Sequence, residues 1–71
     1  MSRKLEQLAY IEGCSVESLL DMASASETVP GICIIPDCDY HTYVEPDCDE
    51  GYCQNCEIQT VKSCLVLAGI L

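Results

Sequence analysis

The sequence predicts a small α+β protein: an N-terminal helical hairpin, a four-cysteine ribbon or knuckle with a short β-hairpin, and a C-terminal apolar helix. Three observations carry this. Cys33-x4-Cys38 and Cys53-x2-Cys56 are two short pairs separated by fourteen residues. Each short loop can set two sulfurs on one side of a turn, so together the pairs can surround one tetrahedral metal ion. The chain has 71 residues with no Phe and no Trp, which leaves a thin aliphatic and tyrosine core. Below roughly 70–80 residues such a core seldom supplies more than about 3–5 kcal/mol, whereas a structural zinc ion contributes roughly 10–16 kcal/mol. Finally, apolar residues recur at helical spacing in the first third of the chain and alternate in its middle.

The expected organisation is a helical hairpin over residues 1–28 and a zinc ribbon with a C-terminal helix over residues 29–71, packed as one compact unit. Residues 3–12 read as a helix, with Ser2 as N-cap, Leu5, Leu8 and Ile11 as its apolar stripe and Gly13 as its stop. Arg3 and Lys4 stand at the end of the helix dipole that disfavours cations, so this helix is weak in isolation. Ser15 offers a second N-cap, Glu17 lies in the first turn, and Val16, Leu19, Leu20 and Ala23 follow the i, i+3, i+4, i+7 pattern. The short connection at Gly13-Cys14 makes an αα-hairpin. Its second helix carries Glu17 and Asp21 and no Lys or Arg, so it reads as a packing corner and not as a DNA-reading helix.

Ser24 to Pro30 is a polar connection, with Pro30-Gly31 expected as a turn ahead of a short strand at Gly31-Ile32-Cys33. From Asp39 to Glu45, Tyr40, Thr42 and Val44 fall on one face of a strand and His41 and Tyr43 on the other. Residues 46–51 are a turn by composition. Thr60 is the expected N-cap of a last helix bearing Val61, Cys64, Leu65 and Ala68 and stopped by Gly69. The same Val- and Leu-rich residues are also compatible with a strand.

Metal ligation is favoured over disulfides by the odd count of seven cysteines and by an N-terminus with basic residues but no apolar segment behind them, which points to a reducing cytoplasm. Four soft thiolates select zinc over hard cations. A rubredoxin-like iron site normally uses two C-x2-C pairs, and a redox dithiol at Cys53-x2-Cys56 would want a βαβ setting that is missing from the pattern. The expected ligands are Cys33, Cys38, Cys53 and Cys56. Cys48 sits in an acidic turn whose carboxylates oppose the charge a thiolate ligand carries, and reads as an exposed spectator, although it could exchange with Cys38. His41 could replace one sulfur. Cys14 and Cys64 read as small buried hydrophobes. Catalysis is not expected, because four thiolates close the coordination sphere and the single His belongs to no triad-like spacing.

The segments Val29-Pro30-Gly31-Ile32-Cys33, Cys38-Asp39-Tyr40, Val44-Glu45-Pro46-Asp47, Gly51-Tyr52-Cys53 and Thr60-Val61-Lys62-Ser63 resemble a family of small zinc-ribbon-like proteins of bacteriophages and proteobacteria. The resemblance covers about residues 29–70, and the preceding hairpin is also similar. It implies a four-cysteine site at Cys33, Cys38, Cys53 and Cys56, with Cys48 outside it. Tyr52 and Cys64 depart from the family's tendency to Trp and Ala there, changes that leave the site intact. The family brings no established activity, and a phage origin points to a host-directed regulator or inhibitor.

The charge narrows the partners. Twelve carboxylates face three basic residues, a formal net charge of −9; four thiolates against one divalent cation take it to about −11. Such a surface repels nucleic-acid phosphate and anionic membrane. Asp37, Asp39, Glu45, Asp47, Asp49 and Glu50 crowd the knuckle, either as a docking face for a basic partner or as a solvated face that keeps the chain soluble. The expected function is therefore a non-enzymatic zinc-binding interaction module that docks on a larger host protein complex. Two alternatives remain open: an acidic nucleic-acid mimic that inhibits a defence or transcription protein, and a thiol redox protein. Leu65 to Leu71 is apolar on nearly every side, and a homodimer through this segment is a further expectation.

Overall fold

The computed structural model describes residues 3–71; Ser2, the expected cap of the first helix, lies outside them. Helix α1 (Arg3–Glu12) buries Leu5, Leu8 and Ala9, and Ile11 packs half-buried on the same cluster. Gly13 ends it with φ at 75°, a left-handed conformation that a residue without Cβ adopts at little cost. Ser15 then caps α2 (Val16–Ala23), its side chain accepting from the Ser18 amide at 3.1 Å. Leu19 and Ala23 are buried against α1, with Val16 and Leu20 at the margin. This is the expected αα-hairpin.

Four antiparallel strands follow: β1 (Val29–Cys33), β2 (His41–Val44), β3 (Gly51–Cys53) and β4 (Ile58–Ser63), in the spatial order β2-β1-β4-β3. β1 and β2 form one hairpin and β3 and β4 a second, where a single hairpin is expected from the sequence. The central pairing of β1 with β4 sets Cys33 opposite Val61, and that of β3 with β4 sets Cys53 opposite Ile58. Both hairpin connections thereby emerge at the same end of the sheet.

The expected turn at Pro30-Gly31 is instead the interior of β1. Cys33 N–H donates to Tyr40 O on the β2 side and Ile34 N–H to Thr60 O on the β4 side. Alternation along the strand therefore aims the Pro30 nitrogen toward β4, beyond Ser63, where β4 pairing has already ended. A proline loses no ladder bond there. Gly31 is required by close approach: a Cβ at this position would lie 2.8 Å from Val44 Cγ2 and 3.0 Å from Lys62 O.

The expected cap at Thr60 is likewise overturned. Residues 58–63 are strand, with Val61 and Ser63 buried and Ile58 and Gln59 exposed, and the last helix, α3 (Cys64–Leu67), is only four residues long. The β-branched side chains of Ile58, Thr60 and Val61 favour the sheet. Ser63 caps α3, accepting from Val66 N at 3.1 Å. Gly69 is the stop that the sequence predicts, with φ at 78°.

The helices, Val29, Ile32, Cys64 and Leu65 form one apolar cluster, and Cys33, Cys38, Cys53 and Val61 a second. Val44 packs against both. Ile70 and Leu71 remain largely exposed. No helix among the described residues is long and apolar enough to cross a membrane.

Ser63 is the one fully buried polar side chain among the described residues, and its hydroxyl has two tasks. It donates to Pro46 O, pinning the 46–50 turn to the sheet, while accepting from Val66 N. Ser63→Ala strands both partners and is expected to cost about 1–3 kcal/mol. The check is the urea midpoint of the metal-loaded protein, which should fall; an unchanged midpoint would contradict the role given to this hydroxyl.

Candidate metal centre

Each hairpin delivers one cysteine from a strand end and one from its connection. Cys33 closes β1 and Cys38 lies in the turn after it; Cys53 closes β3 and Cys56 lies in the turn leading to β4. Because β1 and β4 pair, the two turns meet. The Sγ atoms of Cys33, Cys38, Cys53 and Cys56 all lie within 4.8 Å of one another. Cys33 and Cys56 are 3.9 Å apart and Cys38 and Cys53 3.6 Å. These are not disulfide distances, and all seven cysteines are free thiols. A tetrahedron with metal–sulfur bonds of about 2.3 Å has sulfur–sulfur edges of about 3.8 Å, so the four thiols are arranged to hold one metal ion.

The surroundings suit thiolate ligands. Asn55 Nδ2 donates to Cys38 Sγ at 3.3 Å, the Cys56 amide donates to Cys53 Sγ at 3.2 Å, and Thr60 Oγ1 lies 3.0 Å from Cys33 Sγ. Donors aimed at ligand sulfur spread its charge and fix its orientation. Glu57 follows the second pair with φ at 60°, and its amide donates to Cys53 O at 2.7 Å. That left-handed residue reverses the chain from the cysteine turn into β4. A non-glycine residue is held in this conformation at a cost of about 1–2 kcal/mol.

The protonation pattern follows from the same contacts. The Asn55 hydrogen bond and then the Tyr40 amide pull the Cys38 thiol down to about 6. Cys56 is pushed up to about 12, first by its hydrogen bond to Cys38 and then by burial. The donors around Cys38 favour its thiolate form, and the neighbouring sulfurs and burial favour the protonated form of Cys56. Burial also raises the Cys64 thiol, in keeping with its place inside the helix cluster.

Cys33, Cys38 and Cys53 are buried and Cys56 is half-buried, which leaves one edge of the centre toward solvent. Cys48 and His41 are not part of the sulfur cluster among the described residues. Cys48 is half-buried and not an exposed spectator; its carbonyl accepts from Ser63 N at 2.9 Å, which makes it a structural turn residue. His41 is exposed, with Nδ1 3.1 Å from Asp39 O. Cys14 is half-buried beside the helix cluster.

Sequence reasoning passed over three supporting residues. Thr60 carries the signature of a helix cap, Asn55 that of a generic turn residue, and Lys4 looks misplaced at a helix N-terminus. In the fold, Lys4 Nζ donates to the Cys38 carbonyl and so ties α1 to the first cysteine turn. The polar x positions of Cys53-x2-Cys56 were the available signal for Asn55; nothing local marks Lys4.

Comparisons of the chain with known protein families, curated proteins and solved structures give no match. The site therefore stands on its geometry.

Metal binding must displace the protons that the ligand thiols still carry. Cys38, near 6, is mostly protonated at pH 5 and mostly ionised at pH 7. Calorimetric titration with Zn²⁺ in buffers of differing ionisation enthalpy should find close to one proton fewer released at pH 7 than at pH 5. Equal release at the two pH values would show that the donors around Cys38 do not favour its thiolate.

Proposed function

We propose that this chain is a structural zinc protein whose metal-held fold presents acidic turns to a larger protein, acting by binding and not by catalysis. The observation that supports it is the placement of the carboxylates. All twelve carboxylates, and none of the three basic residues, lie within residues 5–61. Asp37 and Asp39 are exposed at the first cysteine turn, and Glu45, Asp47, Asp49 and Glu50 are exposed on the 45–50 turn at the other end of the sheet. Zinc fits a site of four thiols with amide and hydroxyl donors on the sulfurs, and a closed thiolate sphere leaves no open position for substrate. The reading extends to a reducing cytoplasm, where free thiols persist, and to the phage and proteobacterial family that the segments around Cys33 and Cys53 resemble.

The same charge distribution favours one second reading, an acidic mimic that occupies the nucleic-acid channel of a host defence or transcription protein. Both readings place binding energy in long-range charge and differ in the partner's usual ligand. A third contact, a homodimer through exposed Ile70 and Leu71, would be apolar and indifferent to salt.

The test is capture of host proteins on the zinc-loaded chain at low and high salt, beside a variant with Asp47, Asp49 and Glu50 changed to Asn, Asn and Gln. A partner held at low salt, released at high salt and weakened by the variant is expected. Competition by duplex DNA would then identify the mimic. Retention insensitive to salt and to the variant would overturn the acidic-face reading.

A further inference from the structure

Beside the metal-held end, the fold contains a second feature that the zinc reading does not use. A cleft of about 300 Å³ opens between the C-terminal half of α2, the connection to β1 and the outer part of the sheet, lined by Glu12, Leu19, Met22, Ala23, Ser26, Thr28, Pro30 and Tyr43. Its walls are of two kinds. Met22, Pro30 and the Tyr43 ring offer apolar surface, and Met22 and Tyr43 remain 58% and 62% exposed. Glu12 is the one charged residue in the lining, half-buried at the end of α1. It lines the same cleft as Tyr43, whose phenol is raised chiefly by the charge of that carboxylate, then by burial and by hydrogen bonding to it. A carboxylate accepts about four hydrogen bonds, so one phenol leaves it with capacity. Apolar walls for a methylene stem, an aromatic face and a carboxylate at one end are what a Lys or Arg side chain requires.

The sheet supplies a backbone platform beside the cleft. β2 is an edge strand, paired only with β1 in the sheet order. Val29 pairs with Val44 and Gly31 with Thr42, and the Cys33 amide bonds Tyr40 O. Alternation therefore turns the amides and carbonyls of His41 and Tyr43 outward. A strand added along this edge would place the residue opposite Tyr43 on the same sheet face as Tyr43 and Pro30, the face that lines the cleft. Asp39 and Glu45, both exposed, flank β2 at its two ends.

We infer that the cleft at Glu12, Met22, Pro30 and Tyr43 is a binding site for a Lys or Arg side chain carried on an extended basic segment of the protein partner, which adds as a strand to the β2 edge. The inference rests on the protein-docking reading above and assigns it a site and a partner chemistry. A second copy of this chain is disfavoured as the occupant by its net charge of −9 and the absence of any Lys or Arg between residues 5 and 61.

The experiment uses the full, zinc-loaded, ¹⁵N-labelled chain and a Thr- and Val-rich nonapeptide with one central Lys, with a norleucine peptide as its uncharged isostere. The expected result is a set of amide shifts confined to residues 12, 22–29 and 41–44, with the norleucine peptide at least about tenfold weaker, the loss that follows from removing one charge-assisted contact of about 1.5 kcal/mol. Glu12→Gln should weaken the Lys peptide by a similar factor while leaving the norleucine peptide unchanged. Met22→Lys places a cation in the cleft from the chain itself and should abolish binding; it keeps the test open should Glu12→Gln fail to fold. Shifts centred on Asp47, Asp49 and Glu50 and indifferent to both variants would overturn this site while leaving the acidic docking face standing. No shift anywhere with the Lys peptide at millimolar concentration would overturn both.

Discussion

Four cysteine sulfurs held within 4.8 Å of one another are the constraint around which the rest of the chain is arranged. As thiols they share protons; as four thiolates they would repel one another strongly in so small a volume. A cation at their centre would reverse the sign of that interaction and tie together the turns of two hairpins that are already joined by the β1–β4 pairing. The fold prepares for this with Asn55, Thr60 and the Cys56 amide aimed at sulfur, and with Lys4 reaching from α1 to the carbonyl of Cys38. The metal centre and the helical hairpin are therefore not separate concerns. The lysine that weakens α1 in isolation is the residue that anchors α1 to the first cysteine turn.

The sheet order explains why this small chain can afford short strands. β3 has three residues and β2 four, too few for a hairpin to persist alone in water. Their register is carried by β1 and β4, and the far ends are closed by different means. At the cysteine end the sulfurs can be held by metal. At the other end Ser63 joins the 46–50 turn to α3, and Gly31 lets β1 fit closely between Val44 and Val61. Space is so limited there that a single methyl group at Gly31 would collide with Val44 and press on the Lys62 carbonyl.

Much of this was legible in the sequence. Helical spacing of Leu5, Leu8, Leu19 and Ala23, and the stops at Gly13 and Gly69, report local physics and place the helices. The spacing of Cys33, Cys38, Cys53 and Cys56 identifies the thiols that the fold brings together, because a short loop constrains its own two sulfurs. What stayed hidden was non-local. Pro30-Gly31 carries the local signature of a turn, and only the knowledge that β4 pairing ends at Ser63 shows that the missing proline N–H costs nothing. Val61 and Cys64 fit one helical stripe, yet they belong to a strand and a helix separated by the Ser63 cap. Cys48 looks solvent-facing in its acidic turn, and its backbone role becomes visible only when Ser63 is laid against it. The exposed carboxylates were equally easy to find and say less, since charge alone does not distinguish a docking face from a solvated one.

The arrangement of these four thiols implies that one metal ion holds the fold. Native mass spectrometry and circular dichroism, on the wild type and on Cys33, Cys38, Cys48, Cys53 and Cys56 each changed to Ser, test it most directly. One zinc ion per chain is expected, with metal content and folded signal lost together in every variant except Cys48→Ser. A wild type that folds without metal, or metal retained when Cys53 and Cys56 are changed, would contradict it.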